Sequence, residues 1–222
     1  PEVLRYIFAV NKVDHEFAIS FDLDVITIYE AYDRTERMAW GVDAAKNEEV
    51  LAKEKRVYEL SQIDGVPSVM PYQVPFRQLT TLLQTYSGDI DAVIAKLGDV
   101  KPEQEECLRR RCECAWYWVK ECAPEDFKFA LREDGSKADL SGDFLNAIKR
   151  IRDEVVVKLE SYQVDKDLQQ AMYDIAKEIG IDPKALFTSM YQVLIAKDQG
   201  PRLASFMKII GKDKLNKLLE NC

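Results

Sequence analysis

Lys184-Ala185-Leu186-Phe187-Thr188-Ser189-Met190-Tyr191-Gln192-Val193-Leu194-Ile195-Ala196 contains neither glycine nor proline. Its apolar residues stand at 186, 187, 190, 191, 193, 194 and 195. Wound at about 3.6 residues per turn, they cover almost the whole circumference of a helix. A surface helix needs only one apolar stripe, so this pattern predicts a central, buried helix. Asp182-Pro183 just upstream supplies an N-cap carboxylate and a proline at the first helical position. The helical period continues around it. Phe144, Ile148, Ile151, Val155 and Leu159 form one stripe, and Leu168, Met172, Ile175 and Ile179 form another. Pro75, Pro102, Pro124 and Pro201 are placed to open four more helices, and Gly180 and Gly211 stand where helices should stop. The β-branched runs Val25-Ile26-Thr27-Ile28 and Val155–Val157 are absorbed into longer helical patterns. The chain therefore reads as all-α, with nine or ten helices.

Two polar, turn-rich stretches break this pattern. One is the Pro/Gly-bearing connector 62–71 after a charged helix over 44–60; the other is 132–142, read as a mobile loop. The 222 residues are 47% hydrophobic and 32% charged, the composition of an ordinary globular chain. No apolar run approaches the roughly 20 residues of a membrane helix. Pro1-Glu2-Val3-Leu4-Arg5 has neither the basic start nor the apolar run of a signal peptide. The absence of an initiating Met reads as a fragment of a longer protein. A net charge of −8 argues against a broadly basic nucleic-acid coat but leaves room for local positive spots. Residues 1–100 hold 10 Lys/Arg against 17 Asp/Glu, whereas 181–222 hold 7 against 4, so the C-terminal helices repel a polyanion least.

Five cysteines, an odd number, do not make a secreted disulfide framework. Cys107, Cys112, Cys114 and Cys122 lie within one helical stretch at gaps that do not match paired zinc ligands. On a helix Cys107, Cys114 and Cys122 share a face and Cys112 points away; the favoured reading is buried helix cysteines, ahead of metal or redox roles. His15, the sole histidine, sits between Asp14 and Glu16 and reads as a surface residue.

Several stretches, in order along the chain, resemble the C-terminal part of class I lysyl-tRNA synthetases. Pro1-Glu2-Val3-Leu4-Arg5-Tyr6 is similar to the helix after the KMSKS loop, and Phe21-Asp22-Leu23 and Tyr29-Glu30-Ala31-Tyr32-Asp33-Arg34 are similar to the segments that follow. Val74-Pro75-Phe76-Arg77-Gln78-Leu79 looks like the family's VPFR-type motif, and Ile175–Ile181, Leu186-Phe187, Tyr191–Leu194 and Gly200-Pro201-Arg202 come after it in the expected order. The Gly200-Pro201 region also resembles bacterial glutamyl-tRNA synthetase; Arg34, Arg77 and the Gly-Pro-Arg triplet favour the lysyl family. The resemblance implies a helical stem-contact segment over 1–60 and a helical-cage anticodon-binding domain over 61–222. It also implies a cytoplasmic ligase that activates lysine with ATP and Mg2+ on a catalytic Rossmann domain and transfers it to tRNA(Lys). The HIGH and KMSKS motifs of that chemistry are absent from this sequence, so no catalytic residue, cofactor or metal ligand is assigned here and the fragment is expected to be inactive alone. DNA and membrane partners are not expected.

Unpaired anticodon bases are recognised by stacking on aromatic or guanidinium planes and by hydrogen bonds to their edges. The candidates are Tyr72 and Arg77 near the start of one helix, and Lys197, Gln199 and Arg202 around the Gly-Pro turn. Arg202 is expected in the first turn of the helix that follows. Each has a plainer alternative: core or surface for Tyr72, and an ion pair with a nearby acid for Arg77. Arg34 and Arg37 suit contact with the tRNA stem or ion pairing along their own helix. Arg109-Arg110-Arg111 follows Glu103, Glu105 and Glu106 and reads as a solvated, salt-bridged helix face. Of Trp116 and Trp118, one is expected in the core and the other partly exposed. Two alternatives stay open: a glutamyl-type anticodon-binding domain, and a helical protein-interaction module that binds no RNA.

Overall fold

The computed structural model describes residues 1–11, 16, 18–132, 138, 140 and 142–220, so His15 and most of the 132–142 loop lie outside the described residues. Among the described residues every regular element is helical. No helix there is long and apolar enough to cross a membrane. The chain forms two compact units, Pro1–Glu125 and Asp126–Cys222. The functional division expected at 60/61 runs inside the first of these, because polar bridges described below tie the two sides of that point together.

The first unit contains α1 (Glu2–Val10), α2 (Asp24–Ala39), α3 (Glu48–Ser61), α4 (Phe76–Thr85), α5 (Ile90–Leu97) and α6 (Pro102–Glu121). Helices α1 and α3 pack on α2 and on each other, α4 to α6 pack together, and α4 also meets α2. Local chemistry fixes the starts. Asn47 and Asp89 accept the backbone N–H of Val50 and Ala92 at 2.9 and 3.0 Å, and Pro102 opens α6. Pro75 stands one residue before α4, Pro201 two before α10, and Pro124 lies in a turn that opens no helix. The inward row of α6 is Leu108, Cys112, Ala115 and Val119, the i, i+4, i+7 spacing of one face. This reverses the cysteine expectation: Cys112 is buried, Cys107 and Cys114 are exposed and Cys122 is half-buried. Trp118 is in the core, donating its indole N–H to the Phe21 carbonyl (2.8 Å) beside the Phe76 ring. Trp116, half-exposed, covers Gly88, whose φ of +82° and 2.4 Å clearance for a Cβ admit only glycine.

Polar side chains on the inner side of α2 make the main bridge. Arg111 of α6 donates both terminal nitrogens to Asp33, at 2.8 and 2.6 Å, and one of them also to the Val74 carbonyl at 3.1 Å. Its guanidinium lies 5.6 Å from the centre of the Tyr29 ring. One turn along α2, Glu36 accepts the Tyr58 hydroxyl (3.0 Å) and the Gln73 amide, and Gln73 also donates to the Asp33 carbonyl (3.1 Å). Burial, opposed by these two hydrogen bonds and assisted by the neighbouring Asp33, raises the Glu36 carboxyl above the usual carboxylate range.

The second unit holds α7 (Gly142–Arg150), α8 (Asp165–Ile179), α9 (Pro183–Ile195), α10 (Leu203–Ile210) and α11 (Lys212–Glu220). Helix α7 runs on as a π-helical turn over Ile151–Val155 and a 3-10 turn over Val156–Ser161. The widened turn brings the consecutive Val155 and Val156 both inside while Val157 faces out. Leu186, Met190 and Leu194 of α9 are fully buried among α7, α8 and α11, so α9 is the central helix its sequence predicts. Helix α8 ends on Gly180 at φ +84°, where the N–H of Gly180 and Ile181 close back onto Lys177 and Ala176.

Two outcomes follow for the first unit. Arg111→Met alone leaves Asp33 buried without its cation and is expected to destabilise by about 3–5 kcal/mol, while Arg111→Met with Asp33→Leu costs much less. Urea unfolding of the two variants beside wild type measures both. For Glu36, the raised folded pKa means its stabilising contribution is complete below the unfolded value of about 4.3 and is lost as pH rises through the folded value. Thermal unfolding across pH 4–8 should show wild type losing stability relative to Glu36→Gln as pH increases.

Candidate nucleic-acid interface

Helix α2 buries Asp33 and Glu36 and turns Arg34 outward, where it has no ion-pair partner among the described residues. Arg37, half-exposed on the next turn, is engaged within the protein: its Nε lies 2.9 Å from Asp43 and one terminal nitrogen donates to Gln73 at 3.1 Å. Gln73 thus ties Arg37, Glu36 and the α2 backbone to the connector that carries Tyr72. Tyr72 is half-buried there, and Val74 and Phe76 are anchored in the core (2% and 1% exposed).

Arg77 is the second residue of α4. Its carbonyl accepts the hydroxyls of Thr80 and Thr81, but its guanidinium is exposed and unpaired among the described residues. No acidic residue stands in the first turn of α4. The N-terminal end of a helix carries partial positive charge, so an arginine there is disfavoured in isolation and adds to a field that attracts anions.

The second unit repeats this arrangement at the start of α10. Helix α9 ends on Ala196 in the left-handed region (φ 54°, ψ 35°), an uncommon conformation for a residue with a Cβ. The turn that follows is held by side chains. Tyr191 donates its hydroxyl to the Pro201 carbonyl (2.5 Å), Gln192 donates to Asp198 (2.6 Å), and Lys197 gives its ammonium to the Lys128 carbonyl. Gly200 packs against Tyr191 and Ile195 so closely that a Cβ there would come within 2.8 Å of Ile195 Cδ1 and 3.1 Å of the tyrosine ring. Gln199 and Arg202 are left exposed. Arg202 is the residue just before α10 rather than within its first turn, and that first turn contains no acid. The nearby Asp165 is already taken by Lys208 (2.8 Å) and Ser205, which hold its carboxyl below the usual range.

The structure therefore gathers Lys197, Gln199 and Arg202 in one turn, and separately places Arg37 and Tyr72 at the α2–connector bridge, with Arg77 at the start of the helix that follows. Sequence reading did not find Asp33, Glu36, Gln73 and Arg111, which hold that bridge. Arg109 and Arg110 pair with Glu105 and Glu106 as expected, Arg109 also with Asp91, whereas Arg111 turns inward. Among the described residues no three His, Cys, Asp or Glu side chains converge as a metal ion would require.

The described residues thus form an all-helical chain with exposed arginines at two helix starts. A family described as "tRNA synthetases class I (K)" matches residues 1–64. The chain is 50% identical to the lysine–tRNA ligase of Treponema pallidum, 41% to that of Borrelia garinii subsp. bavariensis and 33% to that of Thermococcus kodakarensis. Each alignment covers 99% of this chain and 42% of the relative, so the chain spans less than half the length of these proteins. It belongs to the class I lysyl-tRNA synthetase family and corresponds to the C-terminal part of such an enzyme.

The packing of Gly200 gives a testable consequence. Gly200→Ala should displace the Tyr191 ring and weaken its bond to Pro201, costing about 1–3 kcal/mol by overpacking. Thermal unfolding of this variant beside Gly200→Ala with Ile195→Val, which removes the closer clashing methyl, checks the assignment: the second change should restore part of the loss.

Proposed function

We propose that this chain is the tRNA-binding portion of a class I lysine–tRNA ligase, contacting the anticodon with its second unit and α4 and the inner stem with α2. The whole enzyme would activate lysine with ATP and Mg2+ on a catalytic Rossmann domain and transfer it to the 3′ end of tRNA(Lys) in the cytoplasm. This portion would supply affinity and choice of tRNA. The observation that carries the reading is the repeated placing of an exposed arginine, with no ion pair among the described residues, at a helix start free of acids, at Arg77 and Arg202, within a chain whose relatives are lysine–tRNA ligases throughout its length.

In this reading Arg77 and Arg202 meet phosphates or base edges, each assisted by backbone N–H groups at its helix start. Gln199 beside Arg202 offers both a donor and an acceptor for a base edge. Lys197 and Arg37 act at one remove, fixing the turn and the connector on which the contacting residues stand. Arg34, which has no ion pair among the described residues, is a cation for the stem, and Tyr72 offers part of a ring face for stacking.

Binding of a tRNA(Lys) transcript across a salt series, beside an anticodon-substituted transcript and a tRNA(Glu) transcript, tests this. Affinity should fall as salt rises, with a log–log slope of roughly −0.7 to −0.9 per phosphate contact. Arg77→Ala and Arg202→Ala should each weaken binding, and each should flatten the slope by about one contact if it meets a phosphate. Equal binding to all three transcripts would remove the anticodon role, stronger binding of tRNA(Glu) would favour the glutamyl alternative, and no binding at low salt would overturn the proposal.

A further inference from the structure

Helix α8 has two dissimilar faces. Leu168, Met172, Ile175 and Ala176 are buried in the core of the second unit. The outward face carries Gln170, Tyr173, Asp174 and Lys177, spaced i, i+3, i+4 and i+7, so all four look the same way. They line one side of an open cleft of about 680 Å³ whose other side is the α8–α9 elbow at Gly180 and Pro183. That volume lies in the range of about 300–1,000 Å³ typical of ligand clefts.

The chemistry of this face is specific. Tyr173 remains 37% exposed, and Phe187 of α9 braces its ring edge-on at 5.0 Å between centroids and 60° between planes. A ring held this way is a stacking platform that loses little freedom on binding. Gln170 donates its amide N–H to Asp174 at 2.8 Å, and the Gln170 amide oxygen and the second Asp174 carboxylate oxygen have no partner among the described residues. Lys177, one turn beyond Tyr173, has no ion-pair partner among the described residues. Arg150, which reaches Glu178 next to Lys177 in sequence, is by contrast paired with Glu154 and Glu178. At Gly180 a Cβ would meet nothing within 4 Å, so the elbow does not close the cleft.

From this arrangement we infer that the α8–α9 cleft takes one unstacked nucleotide of the bound RNA. The base lies on Tyr173, Gln170 and Asp174 accept from its edge, and Lys177 meets a flanking phosphate. The inference rests on the tRNA-binding reading and adds a contact to it. Helix α9, 13 residues long and so about 20 Å from end to end, separates this cleft from Arg202. The acceptor pair favours a base that presents amino hydrogens (adenine, cytosine or guanine) over uracil, whose edge offers two acceptors and one donor.

The test uses the 222-residue chain and a tRNA(Lys) transcript, with thermal unfolding of every variant to confirm an intact fold. Tyr173→Ala is expected to weaken binding about 5- to 100-fold, the range for losing one base–aromatic stack, while Tyr173→Phe retains it. Lys177→Ala should reduce the salt slope by about 0.7–0.9, and Lys177→Arg should keep it. Short oligoadenylate should compete better than oligouridylate for wild type, and Asp174→Asn should reduce that preference. At this separation the effects of Tyr173→Ala and Arg202→Ala should add. If wild type binds and Arg202→Ala weakens it, but Tyr173→Ala and Lys177→Ala bind as wild type does, the cleft has no part in binding and this inference is overturned while the tRNA reading stands. If wild type fails to bind at low salt, both fall together.

Discussion

Taking a guanidinium and a carboxylate out of water costs several kcal/mol per ion, and only close, well-directed contacts offset it. Arg111 and Asp33 meet that requirement with two parallel hydrogen bonds, while 13% and 4% of their side chains remain exposed. A third contact to the Val74 carbonyl and the face of Tyr29 complete the surroundings, leaving Arg111 Nε without a partner among the described residues. This bond joins the middle of α2 to the middle of α6 and catches the end of the connector between α3 and α4. Glu36 and Gln73 extend it by one turn. The position of α4, and with it the exposed Arg77, is therefore set by a polar junction rather than by apolar packing alone. A network of this kind gives up some stability relative to an apolar core, but it allows one register of the three segments and penalises others.

The second unit reaches a similar end by different means. Its interior is apolar, with α9 enclosed on nearly every side, and polar contacts are concentrated where the chain leaves that core. Tyr191 illustrates the transition: half-buried against the core, it sends its hydroxyl to the carbonyl of Pro201 in the exposed turn. Lys197 and Gln192 hold the remaining residues of that turn. Gln199 and Arg202 stay exposed beside them, with no hydrogen bond or ion pair from their side chains among the described residues.

Most of the fold could be read from periodicity, because helices report themselves in the spacing of apolar residues and α9 reports itself by having no polar face. Gly180 and Pro183 marked the elbow correctly for the same local reason. Prolines 124 and 201 misled, since a proline restricts its own φ but does not by itself start a helix. Arg111 was illegible for a deeper reason. It is one of three consecutive arginines following a run of glutamates, and local rules assign all three the same solvated role. Its real partner is 78 residues away in sequence, a distance over which no spacing rule operates. Lys197 reads similarly as a free cation in a Gly-Pro turn, until the fold brings the carbonyl of Lys128, 69 residues earlier, within reach. The spacing of the cysteines alone points Cys112 outward, whereas the apolar row Leu108, Ala115 and Val119 to which it belongs turns it into the core.

The proposed RNA-binding role sets an electrostatic problem for so acidic a chain, and the placement of its cations offers one solution. With a net charge of −8, long-range attraction to RNA is weak or repulsive, so non-specific binding gains little. On that reading, affinity comes from short-range contacts at exposed cations that have no ion pair among the described residues, such as Arg34 and Arg77 in the first unit and Lys177 and Arg202 in the second. Each such contact contributes modestly by itself, and an RNA that reaches only some of them meets the surrounding carboxylates without compensation. Repulsion from the acidic surface then works with the positive spots, rejecting RNAs whose phosphates fall elsewhere. Within each unit the segments beside such cations are held in place, by the Arg111–Asp33 junction in the first and by the Tyr191–Pro201 bond in the second.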